Sequence, residues 1–248
     1  MVNAIGHRTW LELKRRSRPI DEASLRALSP ILVLSPHQDD ETLGCGGVIA
    51  TASRLGLRPR VAFLTDGSAS HEGSPTWPPA RLAATRRGEA LAALAVLGVG
   101  PEDCLFLDWS DASPLAHDDP AYARTLDRLA GWAAGFAPRS LWSSWREEAH
   151  CDHVAASELA ADLVGRLPSI TACMEFLVWG WKARRARFDG KAVWSLACAD
   201  TVARRREALA CHRTQMTDLI DDARTAFRIP PALAALTDRP VEIYLEVP

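Results

Sequence analysis

Four consecutive apolar residues, Ile31-Leu32-Val33-Leu34, run without a polar break into Ser35-Pro36-His37-Gln38-Asp39-Asp40-Glu41, and a helical pattern begins immediately after. An uninterrupted apolar run of this length reads as a buried strand rather than a half-exposed one, which would alternate apolar with polar. The polar block therefore stands where a strand ends. In open α/β sheets the crevice beyond the carboxyl ends of the strands is where ligands bind. The cluster is a site candidate by position alone.

The pattern recurs along the chain. Strands are expected near residues 61–64, 104–107 and 140–145, and helices over 41–55, 81–97, 121–136 and 154–167, with Gly56 and Gly98 as C-terminal stops. Further strands are expected near 174–179, 192–196 and 241–245, and a helix over 199–212. Alternation of strand and helix from residue 31 to about 167 predicts an α/β, Rossmann-like fold, a mainly parallel sheet with helices on both faces. No repeat or linker interrupts it, so residues 29–248 are expected to form a single domain. Residues 1–28 read as a solvated N-terminal extension, a short amphipathic helix with a basic face of Arg8, Lys14, Arg15, Arg16 and Arg18. The loop 68–79 is long enough to be functional rather than a simple connection.

At 248 residues and 48% hydrophobic content the chain can bury a large core. A net charge of -2 supplies no general pull toward nucleic acid or anionic membranes. No apolar stretch has the length of a membrane span or a signal-peptide core, so no integral membrane segment is expected. The six cysteines form no C-x-x-C pair and no small-scaffold spacing, which reads as free thiols in a reducing compartment and makes cytoplasmic the expected location. Nothing in the sequence encodes an oligomeric state.

A second polar block, Arg146-Glu147-Glu148-Ala149-His150-Cys151-Asp152-His153, follows the strand at 140–145. Parallel neighbouring strands would bring both blocks to one sheet edge. Two imidazoles and one carboxylate suit a borderline divalent ion, and three protein ligands leave a position open for water, the arrangement of catalytic sites. A spare carboxylate could then take a proton from that water, and a spare histidine could stabilise a developing oxyanion or protonate a leaving amine. Each block alone has a plainer reading, since Asp40 or Glu41 could cap the following helix. Two such clusters at equivalent strand ends are hard to explain as unrelated caps.

These residues resemble the PIG-L/LmbE-like zinc N-deacetylases. The segment Ser35 to Glu41 is similar to the family's His-Pro-Asp-Asp-Glu signature, and His150-Cys151-Asp152-His153 to its His-x-Asp-His block. Thr65-Asp66-Gly67, Arg86-Arg87-Gly88-Glu89, Leu107-Asp108-Trp109-Ser110-Asp111 and Cys211-His212-Arg213-Thr214-Gln215 resemble further recurrent segments in the same order. The resemblance implies zinc held by His37, Asp40 and His153, although the same ligand set suits Fe2+. It implies Asp39 as general base, His150 as the electrophilic or acid partner, and Asp152 as the group that orients His150 or a ligand histidine. Arg86 matches the family's sugar-contacting arginine, with Asp111 as the matching carboxylate; alternatively Arg86 pairs only with Glu89 or Glu72, and Asp111 caps a turn.

There are departures. Gln38 stands where the family has proline, which is expected to loosen the local backbone while keeping the ligand spacing. Thr214 stands where the family often has serine. From about residue 179 the resemblance thins, and the run Lys182-Ala183-Arg184-Arg185-Ala186-Arg187 reads as a solvated loop, or else an anion-binding one.

The expected function is hydrolysis of an N-acyl group, acetyl first, from an N-acetylated amino sugar such as N-acetylglucosamine or its conjugate. The substrate is thus a small molecule or glycoconjugate. Two competing classes remain: a non-haem iron oxygenase, whose triad normally sits on an all-β scaffold, and a non-catalytic sugar- or nucleotide-binding domain, which would not need both spare groups. Gly44-Cys45-Gly46-Gly47 lacks the dinucleotide-binding frame and reads as close helix–sheet packing. Cys151 reads as incidental. His71-Glu72 either closes over the site or is exposed, His212 borders the pocket or is structural, and Trp179 and Trp181 form a stacking wall or belong to the core.

Overall fold

The computed structural model describes residues 7–182, 188 and 190–248. The helices are α1 (His7–Arg16), α2 (Glu22–Ala27), α3 (Asp40–Arg54), α4 (Pro79–Leu97), α5 (Pro120–Ala134), α6 (Cys151–Arg166), α7 (Val202–Cys211) and the single turns α8 (Arg213–Met216) and α9 (Pro231–Ala234). The strands are β1 (Arg18–Ile20), β2 (Ile31–Ser35), β3 (Arg60–Thr65), β4 (His71–Glu72), β5 (Cys104–Trp109), β6 (Ser140–Ser144), β7 (Ala172–Phe176), β8 (Val193–Ala197), β9 (Thr225–Ala226) and β10 (Val241–Val247). Eight of them form one sheet in the order β1-β8-β10-β7-β6-β2-β3-β5. Only β10 runs antiparallel to its neighbours, β7 and β8. The expected mainly parallel α/β sheet is what the chain forms.

The side chains of β2 explain its unbroken apolar run. Ile31 and Val33 pack into a core shared with α1, α3, α4 and α7, while Leu32 and Leu34 pack into a second core shared with α5 and α6. Successive side chains leave opposite faces of a strand, and both faces here are covered, so all four positions from Ile31 to Leu34 are apolar. Val61 and Phe63 against Ala62 and Leu64 repeat this on β3. Gly98, at φ +94, ends α4 as expected, its N–H returning to the last turn.

Two of the glycines in α3 allow the close approach inferred from the sequence. A Cβ on Gly44 would overlap the ring of Phe176 on β7. One on Gly47 would stand 2.6 Å from Oε2 of Glu242 on β10. In the space thus freed, the Glu242 carboxylate accepts the N–H groups of Gly47 (2.7 Å) and Val48 (3.0 Å) and pairs with buried Arg205 (3.3 Å). The helix carrying the first polar block is thereby anchored to the far half of the sheet.

Three expectations need correction. The N-terminal segment is not a solvated extension: Trp10 and Leu13 of α1 are buried in the first core, and β1 is the edge strand, parallel to β8 with Ile20 opposite Leu196. The lysine and arginines at the end of α1 face outward at the helix C-terminus, where positive charge is favourable, and they masked the buried face in the sequence. Helix α6 starts at Cys151, earlier than residue 154, because His150 caps it by accepting the Asp152 N–H at its Nδ1. Within the loop 68–79, β4 pairs antiparallel with β9 in a separate ribbon, and a two-residue strand has no periodicity to read. Residues 183–187 of the basic run lie outside the described residues. All six cysteines are free. No helix among the described residues is long and apolar enough to cross a membrane.

Trp10→Ala should lower the unfolding free energy by about 3 kcal/mol, the usual cost of emptying a buried aromatic site. Urea unfolding of the variant checks this, since a solvated extension would leave the midpoint unchanged.

Candidate active site

Parallel pairing places β2 between β3 and β6, with Leu34 opposite Ser143. The chain leaves β2 through a turn tied to its neighbour: Thr65 of β3 donates both its N–H (3.1 Å) and its hydroxyl (3.0 Å) to the Pro36 carbonyl. Gln38 is buried, and its amide donates to the Thr65 carbonyl at 2.7 Å. The residue expected to loosen this turn fastens it instead, because its side-chain amide reaches an acceptor that proline could not engage.

Asp39 has φ +146, outside the region an L side chain normally adopts. Such strain costs about 1–3 kcal/mol and persists only where surrounding groups over-determine it. They do so here. The Asp39 N–H donates to Glu41 Oε2 (3.0 Å), while Arg86 donates to the carbonyls of Gln38 (3.0 Å) and Gly67 (3.0 Å) and pairs with the Asp39 carboxylate (3.3 Å). The carboxylate makes no helix cap, so it is left to face the cavity. Arg86 is buried with this partner and with neither Glu89, which binds Thr214, nor Glu72, which pairs with Arg224.

One oxygen of Asp40 gathers the two histidines of the expected metal set. Asp40 Oδ2 lies 3.0 Å from His37 Nδ1 and 3.2 Å from His153 Nε2. The other nitrogen of His37, Nε2, lies 3.0 Å from Asp152 Oδ2 and 3.3 Å from Asp111 Oδ1. Asp152, expected to orient His150 or a ligand histidine, thus holds His37, and it stays 3.9 Å from His150 Nδ1. Asp111 is fixed by the Ala69 N–H and lies 4.0 Å from Arg86. Nitrogens of His37, His150 and His153 lie within 4.8 Å of one another. All eight sequence-derived site residues therefore meet in one place.

The donor set fits a divalent cation on an observation of its own. His153 is fully buried, and neither ring nitrogen completes a hydrogen bond, since the 3.2 Å approach to Asp40 lacks hydrogen-bond alignment. Leaving a buried polar atom unpaired costs about 1–3 kcal/mol. A cation beside Nε2, Asp40 and His37 Nδ1 would satisfy it with the imidazole and carboxylate ligands such ions take.

Electrostatics separate the two adjacent aspartates. Burial raises Asp40, but His153 and His37 outweigh it and hold that carboxyl well below the usual range. Burial, reinforced by the charge of Asp40, pushes Asp39 up to about 7 against the opposing pull of Arg86. His37 is lowered by burial, yet Asp111, Asp152 and Asp40 raise it well above an ordinary imidazole. Burial and the neighbouring His37 and His153 lower His150. With Nδ1 of His150 accepting the Asp152 N–H, its proton is assigned to Nε2. A neutral N–H donor, a permanently ionised carboxylate and a carboxyl that exchanges its proton near neutrality stand side by side.

These groups line a cavity of about 320 Å3. The sequence reading missed part of it. Glu41 is fully buried and holds Asp39 rather than capping alone, with His212 3.7 Å away. Ser70, Phe227, Ile229 and Leu233 also line the cavity, together with Trp179, whereas Trp181 is buried in the core and donates to the Leu177 carbonyl. Phe227, Ile229 and Leu233 come from a stretch whose residues carry no motif, so only packing reveals them. Exposed Cys151 lies outside this lining.

The PIG-L family, described as GlcNAc-PI de-N-acetylase, matches residues 32–164, just over half of the chain. No curated protein matches by sequence. Among solved structures, N,N'-diacetylchitobiose deacetylase from Pyrococcus horikoshii is 19% identical, with a TM-score of 0.61 over 86% of this chain and 78% of that one. The A40926 pseudoaglycone deacetylase Dbv21 is 21% identical, with a TM-score of 0.60 over 89% and 98%. The 4-carboxy-2-hydroxymuconate hydratase GalB from Pseudomonas putida is 19% identical, with a TM-score of 0.63 over 87% and 94%. These likenesses establish the shared fold.

Arg86→Met should cost about 3–5 kcal/mol of stability, the penalty for stripping a buried carboxylate of its partner. Arg86→Lys should recover only part, because an ammonium cannot reproduce the fork. Equilibrium unfolding tests this; an arginine that merely waits for substrate would show no such loss.

Proposed function

The chain belongs to the PIG-L family, and from that premise we propose that it is a metal-dependent hydrolase removing an N-acyl group, acetyl in the simplest case, from an amino sugar or its conjugate. The observation that carries this reading is the split aspartate pair. Asp40 stays ionised between two imidazoles, while Asp39, one residue away, faces the same cavity with its proton exchangeable near neutrality. Paired carboxyls pushed apart in this way mark an ion-holding group beside a general base.

In this reading His37, Asp40 and His153 hold the divalent ion, zinc by the resemblance and iron equally suited by ligand type. When bound, the ion would polarise the amide carbonyl and acidify an attacking water. Asp152 and Asp111 accept from His37 Nε2–H and so keep Nδ1 turned to Asp40. Asp39 takes one proton of the attacking water and returns it to the departing nitrogen, and the second is given up to the freed amine as the new carboxylic acid ionises, so that amide and water leave as carboxylate and ammonium. Arg86 keeps Asp39 aimed into the cavity. The Nε2–H of His150 donates to the oxygen on which negative charge develops. Asp111 and Arg86, at the cavity wall, are the groups proposed to meet the sugar.

Other readings fare worse on specific grounds. The mainly parallel sheet weighs against a non-haem iron oxygenase. A binding domain would have no use for a strained aspartate backed by a buried arginine.

Asp39→Asn should retain one equivalent of zinc and lose turnover by ~10^2–10^4, the usual contribution of a general base. Amine release from a panel of N-acetylglucosamine conjugates, beside metal analysis of both proteins, checks this; unchanged turnover would sink the mechanism. Zinc affinity should also rise with pH. Proton and cation compete for His37 Nδ1, and its carboxylate neighbours raise the affinity for the proton, so binding weakens as the pH falls through neutrality. Competition with a chromophoric chelator measures the slope, and a flat profile would remove His37 from the ligand set.

A further inference from the structure

The cavity lining is of two kinds. Besides the carboxylates and imidazoles it includes an apolar wall of Leu43, Trp179, Phe227, Ile229 and Leu233. Sugar hydroxyls turned toward Leu43, Phe227, Ile229 and Leu233 would find no side-chain hydrogen-bond partners there, at a cost of about 1–3 kcal/mol for each that is desolvated. An acetyl methyl touches little of the wall. Resting on the reading of this cavity as an amide-hydrolysing site, we propose that its substrate is an N-acylated sugar carrying an apolar hydrocarbon group, aliphatic or aromatic, close to the scissile amide.

Two features separate this wall from ordinary core. Phe227 is 37% exposed, yet its ring meets Trp179 edge to face at 5.8 Å, so a large aromatic surface is kept at the cavity mouth rather than buried. Exposed apolar surface of this kind marks a place where a ligand lands. The wall is also held rigidly to the polar lining. Buried Glu148 accepts the N–H groups of Val178 (2.8 Å) and Trp179 (2.9 Å), and it belongs to the same block as His150. Phe227 donates its N–H to the Ser70 carbonyl (2.7 Å), and Ile229 to that of Gln215 (2.9 Å). A surface fixed by backbone bonds loses little freedom when a ligand covers it.

The group can belong to the acyl chain or to the aglycone, and two substrate pairs separate these sources. One pair compares the methyl and hexyl glycosides of N-acetylglucosamine; the other compares N-acetyl and N-hexanoyl glucosamine as methyl glycosides. The zinc-loaded full chain is assayed for kcat/KM by amine release, and Asp39→Asn for Kd by calorimetry, where hydrolysis does not interfere. One pair should show a gain of about tenfold or more for the longer member, as burial of the added methylenes requires. The pair that shows it names the source. Phe227→Ala should lose most of that gain, and Leu11→Ala, an exposed leucine of α1, should keep it. Turnover of both pairs with no gain in either overturns the proposal and leaves the hydrolase reading intact. Tighter binding of a longer member, lost in Phe227→Ala but without turnover of any substrate, overturns the hydrolase reading and supports the wall.

Discussion

The hydrogen-bonded register between β2 and β6 is the constraint on which the rest depends. Because the two strands are adjacent and parallel, with Val33 opposite Trp142 and Leu34 opposite Ser143, the segments that follow them emerge at the same edge. Residues more than a hundred positions apart in sequence, His37 and Asp152, then stand 3.0 Å apart. Apolar cover on both faces makes this register hard to slip, since a shift of one residue would exchange the two cores. The rigidity that builds the fold is therefore the rigidity that builds the site.

Concentrating so much charge at one edge requires compensation, and the chain supplies it in opposed pairs. His37 stands among Asp40, Asp111 and Asp152, and Arg86 answers Asp39. Buried charges left unpaired would shift their protonation until neutral, so each partner maintains the state of the next. Asp39 is left poised near neutrality, and its own backbone is strained. Strain and proton affinity converge on one residue because the same groups, Arg86 and Glu41, hold its main chain while burial governs its carboxyl.

Legibility in the sequence followed locality. The Ile31–Ser35 strand, the α4 stop at Gly98 and the two polar blocks could be read because each is written in a few adjacent residues. The basic end of α1 misled, since three cationic residues advertise solvent while Trp10 and Leu13 on the same helix go inward. Gln38 misled because only the three-dimensional turn shows that its amide reaches Thr65. Phe227, Ile229 and Leu233 left no trace, as ordinary apolar residues whose significance lies in what they face.

By itself the sequence determined the class of fold, through apolar runs that demand cover on both faces, and the chemical inventory of the site, through two blocks with ligand-forming side chains in close succession. Tertiary structure alone decided which carboxylate stands against which imidazole, which aspartate keeps its proton, and that an apolar wall completes the cavity. The physical reason is that the first set follows from periodicity and residue type, which are local. The second follows from distances and burial between segments far apart in the chain, and these exist only once the sheet has closed its register.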